Sequence, residues 1–293
     1  MSSKSLSRSN FPDALTAVNQ RFAELSKQKA HLFSAPARIN LIGEHTDYNL
    51  GWVLPAAIDR YIYFAIAPND QDALLIEALD LDQRVHLPLQ EPPLPDALWA
   101  KYFYGAVQVL KEKGYAVAPV TVVFGGTIPI GAGLSSSAAL TCGFLFALSE
   151  LYGWQLTRVE IAQFAQAAEH RVGLNCGIMD QYAVLHGKQN QVLQLDCLQL
   201  NHQYFPLDLG DYQLVLFNSM VSHALADSAY NDRRQSCELV LSTIQEKHPE
   251  VQSLRAVSFD LLEQFRSTLP PLAHQRVALS WQKINAYFKP PKH

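Results

Sequence analysis

Arg38, Glu44, His45 and Asp47 lie within one short stretch, APARINLIGEHTDYN, at residues 35–49. Carboxylates such as Glu44 and Asp47 accept hydrogen bonds from sugar hydroxyls. A guanidinium such as Arg38 offsets negative charge on a group in transfer. The competing reading is an exposed charged turn, with His45 as a satisfied polar residue. A second stretch, GGTIPIGAGLSSSAAL at residues 125–140, runs from a glycine-rich turn into a helix with hydroxyls in its first turn. Unpaired N–H groups at a helix start, together with the helix dipole, favour an anion, and glycine lets the backbone approach closely. Gly131, Ala132, Gly133, Leu134, Ser135, Ser136 and Ser137 form this candidate phosphate cradle. No GxxxxGK[ST] occurs, so it is not a P-loop of that class. A serine-rich cap on a core helix is the bland alternative. The third stretch, EHRVGLNCGIMDQ at residues 169–181, sets Asp180 among apolar neighbours. A carboxylate there must be paired or put to use.

The elements that must hold these groups follow from periodicity. Phe11, Leu15, Val18, Phe22 and Leu25 recur at helical spacing. Strands are expected over residues 61–67, 74–78, 84–89, 117–124, 192–196 and 212–217, and a short run over 31–34. Helices are expected over 97–113 (ended by Gly114), 134–152, 157–171 and 228–247. Three prolines make 91–96 a loop. Trp99 and Tyr102 share a helix face, where core packing is the commoner use. Tyr230, Asn231, Arg233 and Arg234 read equally well as a solvated helix face. After residue 267 the periodicity is weak, and KPPKH at 289–293 resembles no packed terminus.

Composition narrows the class. The chain has 293 residues, 48% hydrophobic and 17% charged, enough for a large core. A net charge of −4 provides no global basic field for nucleic acid. No apolar run reaches the ~18–20 residues of a membrane span, and the N-terminus lacks an apolar signal core. The four cysteines form no CxxC pair, which points to reduced thiols and a cytoplasmic setting.

In this order the three stretches resemble the galactokinases of the GHMP small-molecule kinase family. ARINLIGEHTDYN resembles the galactokinase signature, and PIGAGLSSSAAL the ATP loop of the wider family. CGIMDQY and SHALADSAYNDRRQSCE also match galactokinase segments. The resemblance runs over residues 11–265. It implies an α+β, two-lobed fold with the site between the lobes: 1–190 carrying the sugar signature and ATP loop, 191–293 a partial C-terminal lobe. It implies transfer of phosphate from ATP to the C1 hydroxyl of α-D-galactose, in a monomer that binds neither nucleic acid nor membrane. Glu44, His45, Asp47, Gly177 and Tyr230 would hold the sugar, and Asp180 would be the base. Arg38 would keep Asp180 ionised and stabilise transition-state charge. Residues 131–137 would wrap the triphosphate, Trp99 and Tyr102 would shape the adenine pocket, and Ser137 and Glu169 would hold Mg²⁺. The readings that compete are a silent galactose- and ATP-sensing regulator, a non-functional truncated product and an N-acetylgalactosamine kinase.

Three departures from the family pattern carry expectations. Ala37 stands where galactokinases usually have Gly. The stretch between Glu169 and Cys176 is one residue short, which could turn Glu169 from the metal. Nothing after Asn190 reads GGGFGG, the family's third motif. With no helical pattern expected beyond Arg276, this third departure motivates the hypothesis of a reading-frame shift near that residue and an incomplete C-terminal lobe.

Overall fold

The computed structural model describes residues 11–90, 92–218 and 223–286. The expected tail at 289–293, Glu91 of the proline loop and Ser222 of the SHALADSAYN segment lie outside them. The described residues divide into two compact units that are interleaved along the chain. Unit 1 takes residues up to Arg38, Ala57–Leu174 and Val184–His186. Unit 2 takes Ile39–Ala56, Asn175–Ala183 and the residues from Gly187 onward. The GEHTDYN segment thus groups with residues beyond 187, rather than with the ATP loop in one block of 1–190.

Unit 1 is built on a five-stranded sheet. Its strands are β1 (His31–Asn40), β3 (Pro55–Pro68), β4 (Ala73–Ala78), β5 (Gln83–Pro88) and β6 (Val120–Gly126), in the order β1-β3-β6-β4-β5. β3 shows why the sheet has helices on both faces. Ile62, Phe64 and Ile66 join the main core, while Tyr63, Ala65 and Ala67 pack against Val18 and Phe22 of α1 (Phe11–Leu25). Side chains alternate across a strand, so a run apolar at every position is buried on both sides. The main core is closed by α2 (Leu98–Glu112), α3 (Ser136–Tyr152) and α4 (Arg158–Arg171). α4 begins with a capping box: Thr157 accepts from the Glu160 N–H, and the Glu160 carboxylate accepts from the Thr157 N–H.

α2 and α4 approach closely at Gly105. A Cβ there would sit 2.4 Å from the Ala168 carbonyl oxygen, a backbone atom that cannot rotate away. Gly105→Ala should therefore destabilise the protein by about 1–3 kcal/mol, despite the better helix propensity of alanine. Urea unfolding measures this, and an unchanged midpoint would contradict such tight packing.

Unit 2 carries a three-stranded sheet, β2 (Trp52–Val53), β7 (Gln191–Asp196) and β8 (Asn201–Pro206), with antiparallel neighbours. Its helices are α5 (Met179–His186, reaching into unit 1 at Val184), α6 (His223–Gln245), α7 (Phe259–Gln264) and α8 (Pro271–Ala286). Cys237, Val240 and Ile244 of α6 share a core with Leu254, Phe265, Ala273 and Val277. Asp196 is buried at the β7 end. Burial raises its pKa, but the Arg255 guanidinium and the Gln199 and Leu198 N–H groups outweigh this and hold it below the usual value.

Two expectations are overturned here. Residues 212–217 form no strand but an irregular segment, with Tyr212 82% and Phe217 91% exposed. Its apolar and β-branched content suits a strand, but no ladder partner is present among the described residues. The chain beyond Arg276 is helical: α8 runs on to Ala286, with Val277, Ser280 and Ile284 buried on one face. The Trp281 indole N–H donates to the Val257 carbonyl at 2.6 Å. The expected lack of helical pattern after Arg276, one of the grounds for a reading-frame shift, does not hold up to Ala286. Two smaller differences concern β1, which extends well past residue 34, and β8, which was not expected because HQYF has little apolar alternation.

Candidate active site

In unit 2 the GEHTDYN segment folds around Thr46, which is fully buried. The Thr46 hydroxyl lies 2.6 Å from the Gly43 carbonyl and 2.7 Å from that of Trp52. The Thr46 carbonyl accepts from the Gly51 N–H at 2.8 Å and the Asn49 N–H at 3.1 Å. A 3-10 turn, Asp47–Asn49, follows. His45 adopts φ +64°, a left-handed conformation that histidine tolerates better than most residues. These bonds set Glu44, His45 and Asp47 on one tight turn. Thr46 was not singled out in the sequence. The only available signal was a hydroxyl flanked by ionisable residues.

Gly177 shows how closely the CGIMDQY segment meets that turn. A Cβ at Gly177 would lie 2.0 Å from Asp47 Oδ2 and 2.2 Å from Asp47 Cγ. Asp180 follows in the first turn of α5. Arg234 of α6 donates to the Asn175 carbonyl and to the Cys176 carbonyl, the latter at 3.3 Å, which ties this segment to α6.

The α6 residues Tyr230, Arg233, Arg234 and Cys237 recur at i, i+3, i+4 and i+7 and face the same cluster. Tyr230 stacks obliquely on His45 at 5.5 Å and meets Tyr48 edge-on at 5.6 Å. Burial, and then the nearby Asp47, Cys176, Tyr48 and Asp180, push the Tyr230 phenol well above its usual pKa. The hydroxyl therefore stays protonated and can donate. The reading of this helix stretch as a solvated face is corrected for Tyr230 and Arg234, whereas Arg233 is exposed. Glu44 accepts from Asn40 Nδ2 at 3.2 Å and has Lys283 Nζ at 3.7 Å from Oε2. Glu44, His45, Asp47, Gly177, Asp180 and Tyr230 all belong to unit 2.

Burial, and then the positive charges of Arg233 and Lys283, lower the His45 pKa from 6.5 to about 4, against an opposing pull from Glu44. As pH falls, the unfolded chain takes up this proton first. The stability contributed by neutral His45 is complete above pH 6.5 and declines between 6.5 and about 4.

Unit 1 holds the other expected residues. Gly131, Gly133 and Ser135 have positive φ, and a Cβ at Gly133 would meet nothing within 4 Å, so the loop is open there. Arg38 of β1 donates its N–H to the Leu134 carbonyl at 3.3 Å and its guanidinium to the Gly133 carbonyl at 3.0 Å. No side-chain bond from Ser135 caps the start of α3. Ala37 is fully buried in β1 without positive φ, so its methyl group is accommodated. Glu169 is only 1% exposed on α4, which packs against the α3 that carries Ser137. The Glu169 carboxylate and the Ser137 hydroxyl are oxygen donors of the type Mg²⁺ takes, carried on two helices that pack together. Trp99 sits in the core, 8% exposed, with its indole N–H donating to Gln83 Oε1 at 2.7 Å. Tyr102 packs against the same core. Among the described residues no helix is long and apolar enough to cross a membrane.

Residues 20–68 match the galactokinase galactose-binding signature, and residues 101–188 match the GHMP kinases N-terminal domain. The chain is 39% identical to a galactokinase of Thermotoga maritima over 236 residues, 80% of this chain and 65% of that one. It is 42% identical to a galactokinase of Thermosipho africanus over 211 residues, 72% of this chain and 58% of that one. It thus spans less than two thirds of these relatives. Lactococcus lactis galactokinase, solved in complex with galactose, superposes with a TM-score of 0.79 at 27% identity, covering 92% of this chain and 72% of that one. The signature turn and the glycine loop thus lie in segments that match the galactokinase signature and the GHMP kinase N-terminal domain, and the chain is similar to galactokinases over most of its length.

Proposed function

We propose that the protein is a galactokinase, transferring the γ-phosphoryl group of ATP to the C1 hydroxyl of α-D-galactose. The observation that carries this is the packing of Gly177 on Asp47 beside Tyr230, a pocket wall of acceptors and one protonated phenol. Glu44 and Asp47 accept from sugar hydroxyls, Tyr230 donates, and the bare Gly177 backbone leaves Asp47 the room to hold its place. His45 contributes its ring as a wall. Asp180 takes the proton from the C1 hydroxyl, which then attacks phosphorus as the bond to the ADP oxygen breaks.

Residues 131–137, with the α3 N-terminus, bind the triphosphate through backbone N–H groups and serine hydroxyls. Trp99 and Tyr102, packed in and against the core, would shape the adenine pocket from behind. Arg38, anchored on the loop through Gly133, supplies positive charge to the phosphoryl group in transfer. Ser137 and Glu169 would hold Mg²⁺, which when bound neutralises phosphate charge.

The sugar half of this reading has its own test. Saturating galactose should raise the melting temperature of the 293-residue chain without ATP, and glucose should do so much less. Asp47→Ala should remove the galactose effect. Equal stabilisation by both sugars, or none by galactose, would contradict the assignment.

A further inference from the structure

Both ring nitrogens of His45 are engaged within the protein. Arg233 Nη1 lies 2.9 Å from His45 Nε2, and Tyr48 Oη lies 2.9 Å from His45 Nδ1. An arginine side chain has donors only, so Nε2 must be the acceptor and carry no proton. The ring proton then sits on Nδ1 and is donated to Tyr48 Oη. This directs the Tyr48 hydroxyl proton to its remaining partner, the Cys237 sulfur. The donors thus run one way, from Arg233 to His45 to Tyr48 to Cys237. Arg233 and Cys237 are one helical turn apart on α6, and His45 and Tyr48 one turn apart on the signature loop. The relay fastens that loop to α6 at two points.

We propose that Arg233 is a positioning residue of the sugar site, holding His45 as the neutral Nδ1–H tautomer and thereby setting the ring wall and the partner of Tyr48. This rests on the sugar-kinase reading for its kinetic consequence, but not for the tautomer. The groups facing His45 are Arg233 and Tyr230 from α6, Lys283 from α8, and Glu44 and Tyr48 from its own loop. The two cations oppose a second ring proton. The Asn49 side-chain amide donates to the His45 carbonyl at 2.9 Å, so the backbone is fixed as well. With both nitrogens committed, His45 shapes the pocket by its ring rather than by a hydrogen bond to a sugar hydroxyl.

The experiment is a long-range ¹H–¹⁵N correlation of the imidazoles in the ¹⁵N-labelled, sugar-free full chain near pH 7.5, with His45 assigned through His45→Asn. The expected spectrum has an unprotonated Nε2 and a protonated Nδ1. Arg233→Ala should move His45 to the Nε2–H tautomer and raise KM for galactose about tenfold with kcat little changed, the loss of one hydrogen bond to a charged donor. Arg233→Lys keeps a donor and should restore the Nδ1–H tautomer and most of the KM. An Nε2–H or doubly protonated His45 in the unaltered protein overturns the proposal, whether or not any variant folds. So does a Arg233→Ala protein with tautomer and KM unchanged. If the chain does not phosphorylate galactose, the kinase reading fails while the tautomer spectrum still decides the role of Arg233.

Discussion

Asp180→Asn should reduce galactose phosphorylation by about 10²–10⁴-fold, the usual worth of a positioned general base. The amide is nearly isosteric and leaves α5 intact, but it cannot take a proton at neutral pH. Binding of galactose should survive, because the pocket wall made by Asp47, Gly177 and Tyr230 is untouched. The decisive readout is the split: kcat collapses while galactose still raises the melting temperature. A variant that turns over within about tenfold of the parent would take the base out of Asp180's hands.

Gly177→Ala should be nearly as damaging for a different reason. The added methyl group would lie 2.0 Å from Asp47 Oδ2, and Asp47 is only 7% exposed, so it has little room to withdraw. Overpacking of this kind costs about 1–3 kcal/mol. If Asp47 relieves it by leaving its place in the wall, galactose affinity falls by roughly 10- to 100-fold. Calorimetric titration with galactose checks this, with circular dichroism to show that the fold persists. Affinity within twofold of the parent would mean that the two segments are not in contact, and the pocket described here would be wrong.

What could be read in the residues differs by element for physical reasons. α4 was legible because its start is local: the Thr157–Glu160 box and the apolar spacing lie within one turn. α1, α2 and β3–β6 likewise carry their pattern in their own residues. Residues 212–217 are apolar enough for a strand, but a strand also needs a neighbour, and that information is not local. α8 was missed because its buried face interleaves Ser280 with Val277 and Ile284 behind a Pro-Pro start, which dilutes the helical period. The site followed the same rule. Glu44, His45 and Asp47 stand together in the sequence, whereas the contact of Gly177 with Asp47 joins residues 130 positions apart. Arg233 is exposed, as its charge suggests, but its bond to His45 was not legible because the two are 188 residues apart.

The central claim is that this chain phosphorylates galactose at C1, and product formation tests it most directly. The purified 293-residue protein would be incubated with ATP, Mg²⁺ and galactose, and the phosphorus spectrum followed beside a coupled measurement of ADP. The account predicts a new resonance of an anomeric sugar phosphate appearing in step with ADP, dependent on galactose and lost in Asp180→Asn. Folded protein that binds galactose yet forms no sugar phosphate, or forms one at a hydroxyl other than C1, would contradict it.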